Sequence, residues 1–293
     1  MFRTYMLQKS TLLHLRIPFS FFLLPVFVFA LSQDENFNWM DALLIFIILH
    51  LFLYPASNGY NSYFDKDEES IGGLENPPPV KKELYYTSLV FDVIALGLAL
   101  FLNIYFTLMV LIYGAVSKAY SHPSFRLKRY TYISWLTIGV FQGYFTFMMV
   151  QVGLSGLEVF EDFRLNTAGI LSTILLLGSY PMTQVYQHKE DGKRGDITLS
   201  LKLGIKGTFI FTALVFMLAT SLYVLFFKAF YDWKIALFFL AFLTPVLVYF
   251  LSWFVRVLKN EKEANFKSTM RLNLISSLCL NLFFLFLIYY SHF

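Results

Sequence analysis

The sequence has little charge, few glycines and prolines, and almost no cysteine. Asp, Glu, Lys and Arg make up 14% of its 293 residues, against about 25% in a soluble domain. The single cysteine, Cys279, excludes an internal disulfide scaffold, and its apolar sequence neighbours are typical of a packing residue. No collagen-like repeat, low-complexity segment or Gly/Ser/Pro-rich linker is present, so we expect residues 1–293 to form a single domain.

The sequence is instead rich in apolar and aromatic residues. Apolar residues make up 57% and aromatic residues 20% of the chain, and the mean hydropathy is +0.60. A soluble domain is about 45–50% apolar, and neither a soluble enzyme nor a disordered chain has this composition. The composition therefore predicts an integral membrane protein that interacts with lipids. The net charge of +4 is too small to indicate a nucleic-acid partner.

Uncharged stretches long enough to cross a bilayer recur along the whole chain. A spanning helix needs about 20 apolar residues, and eight such stretches cover residues 17–33, 42–64, 93–117, 130–156, 165–188, 207–227, 235–255 and 272–293. A ninth, residues 84–101, is interrupted only by Asp92, so we expect a break near Asn103 that separates two short helices. The pattern predicts an all-α protein with nine transmembrane helices. A cleaved signal peptide is the alternative for the first span, although its apolar stretch is long for one.

The positive charges predict how the chain is oriented. With nine spans, twenty of the 23 Lys and Arg fall on the side that holds the N-terminus, and only Arg164, Lys228 and Lys234 fall on the other. The positive-inside rule then places the N-terminus and the long polar loops in the cytoplasm. In a bacterium the membrane would be the inner, or plasma, membrane.

The end of the second span carries polar side chains within an apolar run. If the helix continues, Asn58, Asn61, Asp65 and Glu69 lie within about 80° on one face, whereas Asp67 points the opposite way. Stacked carboxylate and amide oxygens suit a hard cation such as Mg²⁺. The alternative is a solvated acidic helix end, but such an end does not require two Asn on the same face inside the apolar run.

The sixth span ends in a similar way on the same side of the membrane. Gln184, Gln187, His188 and Asp191 lie within about 100° of arc if the helix is regular, with Glu190 beside them. The two polar helix ends can therefore face each other across one cavity. His188 taken alone is more typical of an interfacial histidine than of a ligand.

Basic residues surround these acidic helix ends on the predicted cytoplasmic side. They are Lys82, Arg126, Lys128, Lys193 and Arg194, and Tyr120 begins the loop that contains two of them. Basic loops beside lipid usually bind anionic headgroups. Here they flank two predicted metal-binding helix ends, which indicates an anion that bridges metal and Lys or Arg, and a diphosphate fits this description.

These motifs resemble those of the UbiA superfamily of intramembrane prenyltransferases, including the 4-hydroxybenzoate and 1,4-dihydroxy-2-naphthoate polyprenyltransferases. The family motif N-D-x-x-D-x-x-x-D resembles Asn61, Ser62, Asp65 and Glu69, and D-x-x-x-D-x-x-x-G resembles Gln187, Asp191 and Gly195. The downstream Thr198-Leu199 and Leu203-Gly204, and the loop with Pro123 and Lys128, also fit the family. Ser62, Glu69 and Gln187 stand where the family has Asp. The expected Arg-Pro after the first motif is replaced by Asn76-Pro77.

The resemblance implies nine helices around a central cavity, in which a polyprenyl group passes from its diphosphate to an acceptor, often aromatic, as in quinone biosynthesis. Mg²⁺ is the implied cofactor. The predicted catalytic residues are Asp65, Asp191 and Lys128, the metal ligands Asn61, Asp65, Glu69, Gln187 and Asp191, and the diphosphate ligands Arg126, Lys128, Lys193, Arg194 and Lys82. A second tier comprises Asn58, Asp67, Glu68, Gln184, His188, Glu190 and Tyr120. Tyr54, Tyr60, Tyr63 and Tyr186 are candidates for stabilising an allylic cation.

Three other functions stay open. The lost Asp residues favour a non-catalytic relative that binds prenyl lipids or acts as a scaffold. A secondary transporter usually has broken helices at the bilayer midplane, whereas the polar groups here lie at helix ends. A phosphoalcohol transferase is disfavoured because its D-G-x-x-A-R signature is absent. We expect Arg16 to extend to the headgroups and Asp92 to have a polar partner inside the bundle. Acceptor, prenyl length and oligomeric state are not predicted.

Overall fold

The computed structural model of the protein describes residues 7–292, so Arg3 and the end of the last predicted span at Phe293 lie outside the described residues. Within that part of the chain the structure is helical, and no strand forms apart from an isolated bridge between Ile71 and Leu74. Six helices are long and apolar enough to cross a membrane, or eight if two bent helix pairs each form one span. The predicted all-α membrane class is confirmed, whereas nine spans and a cytoplasmic N-terminus stay predictions.

Most of the helices are joined by short connections, whereas residues 66–81 form a longer loop between α4 and α5. Their bounds are α1 Lys9–Leu15, α2 Leu24–Leu31, α3 Trp39–Phe46, α4 Tyr54–Asp65, α5 Lys82–Ala99, α6 Ile104–Ser121, α7 Thr131–Val140, α8 Thr146–Ser155, α9 Phe163–Ser179, α10 His188–Arg194, α11 Leu199–Phe230, α12 Trp233–Lys259 and α13 Phe266–His292. Short connections make consecutive long helices antiparallel neighbours. The C-terminal ends of α4, α6 and α9 therefore lie at the same end of the bundle as the start of α7.

The break between α5 and α6 falls where the sequence predicts it. The side-chain oxygen of Asn103 accepts the backbone N–H of Phe106 at 2.8 Å and caps the new helix. The Asn103 amide also donates to the Val152 carbonyl at 2.9 Å, which ties the turn to α8. The predicted break near Asn103 is thus confirmed.

The partner of the intramembrane carboxylate is a lysine on the next helix. Lys118 on α6 donates to Asp92 on α5 at 2.7 Å, and each side chain is less than one-fifth exposed. An unpaired charge at this depth would be costly. The pair therefore fixes α5 against α6, as the expectation of a polar partner for Asp92 requires.

Two membrane helices contain a π-helical turn. One, Ile47–Leu53, joins α3 to α4, and the other, Phe141–Phe145, joins α7 to α8. At the second turn Gly143 has no side chain, and a Cβ added there would lie 2.5 Å from the backbone Cα of Thr173 on α9. Glycine therefore allows the close approach of α9, and the Thr173 hydroxyl accepts the N–H of Tyr144 at 2.9 Å.

The apolar core packs at the end of the bundle opposite the polar loops. The ring of Phe29 stacks on Phe284 at 4.5 Å and contacts Phe147, Tyr223 and Phe226. Phe29, Tyr223, Phe226 and Phe284 lie towards the C-terminal ends of α2, α11 and α13, and Phe147 lies at the start of α8, directly after the π-helical turn that follows α7. Apolar side chains therefore fill that end of the bundle, and the polar helix ends surround a cavity at the other end.

Candidate active site

A cavity of about 230 Å³ lies between the polar ends of the helices. Its walls come from α4, from α6 and α7, and from the turn between α9 and α10. Both polar helix ends identified in the sequence contribute to it, so they face each other as expected.

The first wall is formed by α4 and the residues that follow it. Asn58, Asn61 and Asp65 line the cavity from successive turns of the helix. The helix ends at Asp65 because Lys66 takes the left-handed conformation with φ of 52°, and its N–H donates to the Ser62 carbonyl. The next residues therefore do not continue the helical face.

This early end corrects the placement predicted for Glu69 and Asp67. Glu69 is 39% exposed, outside the cavity, and accepts a hydrogen bond from Lys189 at 2.7 Å. That hydrogen bond lowers the pKa of Glu69 below its ordinary value. Asp67, expected to point away, lines the cavity with its side chain 8% exposed and forms an ion pair with Arg194. The helical-face argument for Glu69 is wrong because the helix does not reach it.

The second wall is formed by the end of α9 and by α10. The chain bends by 87° between the helical segment Phe163–Gln184 and α10. Gln184, Gln187 and Asp191 line the cavity on either side of this bend. The Gln187 amide donates to the Ser70 carbonyl at 3.2 Å, which links this wall to the loop after α4.

The bend also separates residues that a regular helix would keep together. His188 does not line the cavity, and its Nε2 lies 2.7 Å from the hydroxyl of Ser200 on α11. Glu190 accepts the backbone N–H groups of Glu68 and Glu69 at 3.2 and 3.1 Å, away from the cavity. The prediction that His188 shares one helical arc with the other three is wrong because the helix is broken.

The loop between α6 and α7 supplies two cations. Lys128 is 7% exposed, forms an ion pair with Asp65 and lies 3.3 Å from the Asn61 side-chain oxygen. Arg126 binds Asp196 through two hydrogen bonds of 3.0 and 2.9 Å and lies 4.0 Å from Asp65. Burial lowers the pKa of the Arg126 guanidinium, but Asp196 and Asp65 raise it by more, so its pKa lies above the ordinary value.

The remaining predicted residues divide between the cavity and the surface. Tyr120 lines the cavity, and its hydroxyl lies 2.6 Å from that of Tyr180 and 2.8 Å from that of Ser134. Lys82 and Lys193 are exposed and do not line the cavity.

Several residues that line the cavity were not predicted as site residues, among them Arg16, Asp196 and Tyr180. Arg16 lies at the bend after α1, is 9% exposed and donates to the carbonyls of Gly72 at 3.1 Å and Asn58 at 3.3 Å. The prediction that it extends to the headgroups is therefore wrong, and no local sequence signal distinguishes the two placements. Asp196 and Tyr180 also line the cavity. Asp196, directly after the second motif, could have been found by its proximity to that motif.

Aromatic side chains line the cavity, but they are mostly not those predicted. Tyr186 lines it as expected, together with Tyr113, Phe141 and Tyr180. By contrast Tyr54 is 2% exposed in the apolar core. Tyr60 and Tyr63 do not line the cavity either, and pack against Tyr85 on α5 at 5.9 and 5.1 Å.

Positive and negative side chains alternate around the mouth of the cavity. Arg194 pairs with Asp67 and with Asp191 at 2.9 Å and lies 3.5 Å from Asp196, while Lys128 pairs with Asp65. Among the described residues, no group of three or more His, Cys, Asp or Glu is arranged to hold a metal ion. The cations hold the carboxylates in ion pairs.

Among the described residues that line the cavity, two buried side-chain oxygens nevertheless have no hydrogen-bond partner. They are Oδ2 of Asp191 and Oε1 of Gln184, both on the second wall. A buried acceptor without a donor costs about 1–3 kcal/mol, and a hard cation prefers such oxygens. Mg²⁺ binds through one or two carboxylates, waters and substrate phosphates, so this donor set fits it when a phosphate supplies the other ligands.

A sequence profile of the UbiA prenyltransferase family matches residues 21–275. The chain belongs to the UbiA prenyltransferase family. The membership predicted from the two motifs is thus confirmed. No curated protein sequence matches the chain significantly.

Solved structures of UbiA homologues have a similar fold. The apo UbiA homologue from Aeropyrum pernix K1 is 19% identical with a TM-score of 0.71, covering 92% of this chain and 98% of that one. The homologue from Archaeoglobus fulgidus bound to GPP and Mg²⁺ is 18% identical with a TM-score of 0.68, covering 96% and 99%. A structure of digeranylgeranylglyceryl phosphate synthase is 20% identical with a TM-score of 0.62, covering 97% and 98%. At these identities the likeness establishes the UbiA-like fold alone.

Proposed function

We propose that this UbiA family member transfers a prenyl group from a prenyl diphosphate to an acceptor inside the membrane. The proposal rests on one observation. Residues of both motifs line a single cavity in an apolar helical bundle, together with Lys128 and Arg194. In this proposal residues 1–293 form one domain of nine spans, with the N-terminus and the cavity mouth in the cytoplasm. Homologues solved with GPP or DMAPP and Mg²⁺ support the choice of donor and cofactor.

Mg²⁺ is the proposed cofactor, held by oxygens of both walls. Asn61 and Asp65 would hold it from α4, and Gln187 and Asp191 from the second wall, with Asp67 in the role predicted for Glu69. When bound, Mg²⁺ neutralises diphosphate charge and makes the diphosphate a better leaving group.

In this proposal the diphosphate is bound by Lys128 and Arg194, which line the cavity, and by Arg126, which lies behind them against Asp196. Lys128, Arg126 and Arg194 are held beside the site by Asp65, Asp196 and Asp67. A diphosphate offers these cations stronger, charge-assisted hydrogen bonds. They therefore exchange carboxylate for phosphate oxygens and stabilise the charge of the departing group.

The inner part of the cavity protects the reactive end of the prenyl group. Tyr113, Phe141 and Ile138 line it, and their apolar surfaces exclude water from an allylic cation. The faces of aromatic rings stabilise such a cation by about 0.5–2 kcal/mol each. The proposed acceptor is an aromatic ring or a related lipid precursor, as in quinone biosynthesis.

A second candidate is a non-catalytic protein that binds prenyl lipids. It is favoured by the ion pairs, because Asp65, Asp67 and Asp191 are each already neutralised by a cation of the chain. A metal must displace these cations before it binds.

The test is diphosphate release by the detergent-purified protein, with labelled GPP, Mg²⁺ and a panel of acceptors. We expect turnover that excess EDTA abolishes and that Asp65→Asn lowers at least about tenfold. Glu158→Gln, which removes an exposed carboxylate away from the cavity, is the matched control and should leave turnover unchanged. Full turnover in EDTA contradicts the metal role, and tight prenyl-lipid binding without transfer to any acceptor favours the second candidate.

A further inference from the structure

The cavity is charged at its mouth and neutral at its inner end. The ionisable carboxylates and cations that line the cavity lie at the C-terminal ends of α1 and α4, in the loops after α4 and α6, and on or directly after α10. Further in, the polar side chains on the wall that continues α7 are Thr137 and Gln142. Gln142 lies eleven residues after the start of α7 at Thr131, which is about 16 Å along a helix.

The Gln142 side chain faces the cavity without a hydrogen-bond partner among the described residues. It lines the cavity, is partly buried, and makes no hydrogen bond to another described residue. Its amide offers two donors and an acceptor. Polar groups at membrane depth are costly and commonly functional, so this amide is available to bind a ligand inside the cavity.

The backbone around Gln142 is held in place by its neighbours. It lies in the π-helical turn Phe141–Phe145, which ends the cavity wall. The Thr146 hydroxyl donates to the Phe141 carbonyl at 2.7 Å, and Thr173 accepts the Tyr144 N–H at 2.9 Å. Gly143 packs directly against the Thr173 backbone. A side chain anchored in this way can position a ligand with precision.

The chemistry of the two substrates decides which one meets Gln142. The prenyl tail is a hydrocarbon, and the hydrogen-bonding groups of a prenyl diphosphate belong at the charged mouth of the cavity. Of the two substrates, the acceptor is therefore the one that can hydrogen-bond Gln142. Its immediate wall neighbours Ile138 and Phe141 are uncharged, and a carboxylate placed there would lose its hydration without gaining a cation.

We infer that Gln142 is an acceptor-specificity residue that binds a neutral hydroxyl or carbonyl group. The acceptor is thus a molecule whose inner end carries such a group and no charge. This inference rests on the proposed prenyl-transfer function, because that function supplies the second substrate.

The test measures binding directly and does not depend on turnover. Calorimetry in detergent compares 1-naphthol with 1-methylnaphthalene, which has the same shape but no hydroxyl. One hydrogen bond is worth about 0.5–1.5 kcal/mol, so we expect the wild type to prefer 1-naphthol about two- to tenfold. Gln142→Met, of similar length, should abolish the preference, whereas Thr137→Val, on the same wall nearer the mouth, should keep it.

Gln142→Leu serves as a second variant if size-exclusion chromatography shows that Gln142→Met is misfolded. A well-folded Gln142 variant that keeps the preference overturns the inference, and so does a wild type that binds both probes equally or neither. In turnover assays the variant should raise the acceptor KM and leave the prenyl diphosphate KM unchanged. If the wild type turns over no acceptor, the proposed function fails while the naphthol preference remains separately measurable.

Discussion

Asp67, rather than Glu69, should be the third acidic residue of the first motif in function. The two are matched carboxylates two residues apart, and sequence alignment of the motif favours Glu69. The structure gives Asp67 a place in the cavity wall and an ion pair with Arg194, whereas Glu69 pairs with exposed Lys189 at the surface. Neutralising each carboxylate in turn therefore tests whether the spacing of the motif or the position in the cavity decides which residue is needed for activity.

The expected magnitudes differ because the environments differ. Asp67→Asn leaves Arg194 with weaker partners next to the diphosphate site, and losses of such supporting groups typically cost about 10–100-fold in metal affinity or activity. Glu69→Gln removes an exposed surface ion pair, and such pairs contribute little, so we expect less than about a threefold change in activity.

The assay is a Mg²⁺ titration of GPP consumption by the wild type and both variants, purified in detergent and checked by size-exclusion chromatography. Asp67→Asn should lower the maximal rate or raise the Mg²⁺ concentration for half-maximal activity by at least tenfold. The reasoning is refuted if folded Glu69→Gln loses as much activity as Asp67→Asn, because position in the cavity would then not decide function.

Two further predictions concern the second wall and the packing of α9. In the same Mg²⁺ titration, Asp191→Ala should remove activity even at high Mg²⁺. Gln187→Asp should lower the Mg²⁺ concentration needed for half-maximal activity, because it adds a negative ligand. Wild-type turnover by a folded Asp191→Ala variant would show that the second motif is not used. Gly143→Ala should destabilise the protein by about 1–3 kcal/mol, because its Cβ would meet the α9 backbone. Gly97→Ala is the control, because the new Cβ would have open space around it, and it should be neutral or stabilising by up to about 1 kcal/mol. Equal melting temperatures for the two variants in detergent would contradict the packing argument.

The sequence by itself determined the membrane class, the family and the helix ends that carry the chemistry. Apolar runs of about 20 residues predict spanning helices, and a helix satisfies its own backbone polar groups in lipid. The break at Asn103 was also predictable, because it separates two apolar runs and its side chain caps the next helix. Asn61, Asp65 and Asp191 line the cavity because they lie within or directly beside regular helical turns.

The tertiary structure alone decided which other side chains reach the cavity. Helical spacing predicts a shared face only while the helix continues, and the left-handed Lys66 and the 87° bend before α10 end that continuity. Glu69 and His188 are turned away for this reason, and Asp67 is turned inward. Arg16 and Asp196 reach the cavity through contacts with residues distant in sequence, Gly72 and Arg126. Such pairings depend on how helices pack against each other, which the local pattern of residues does not record.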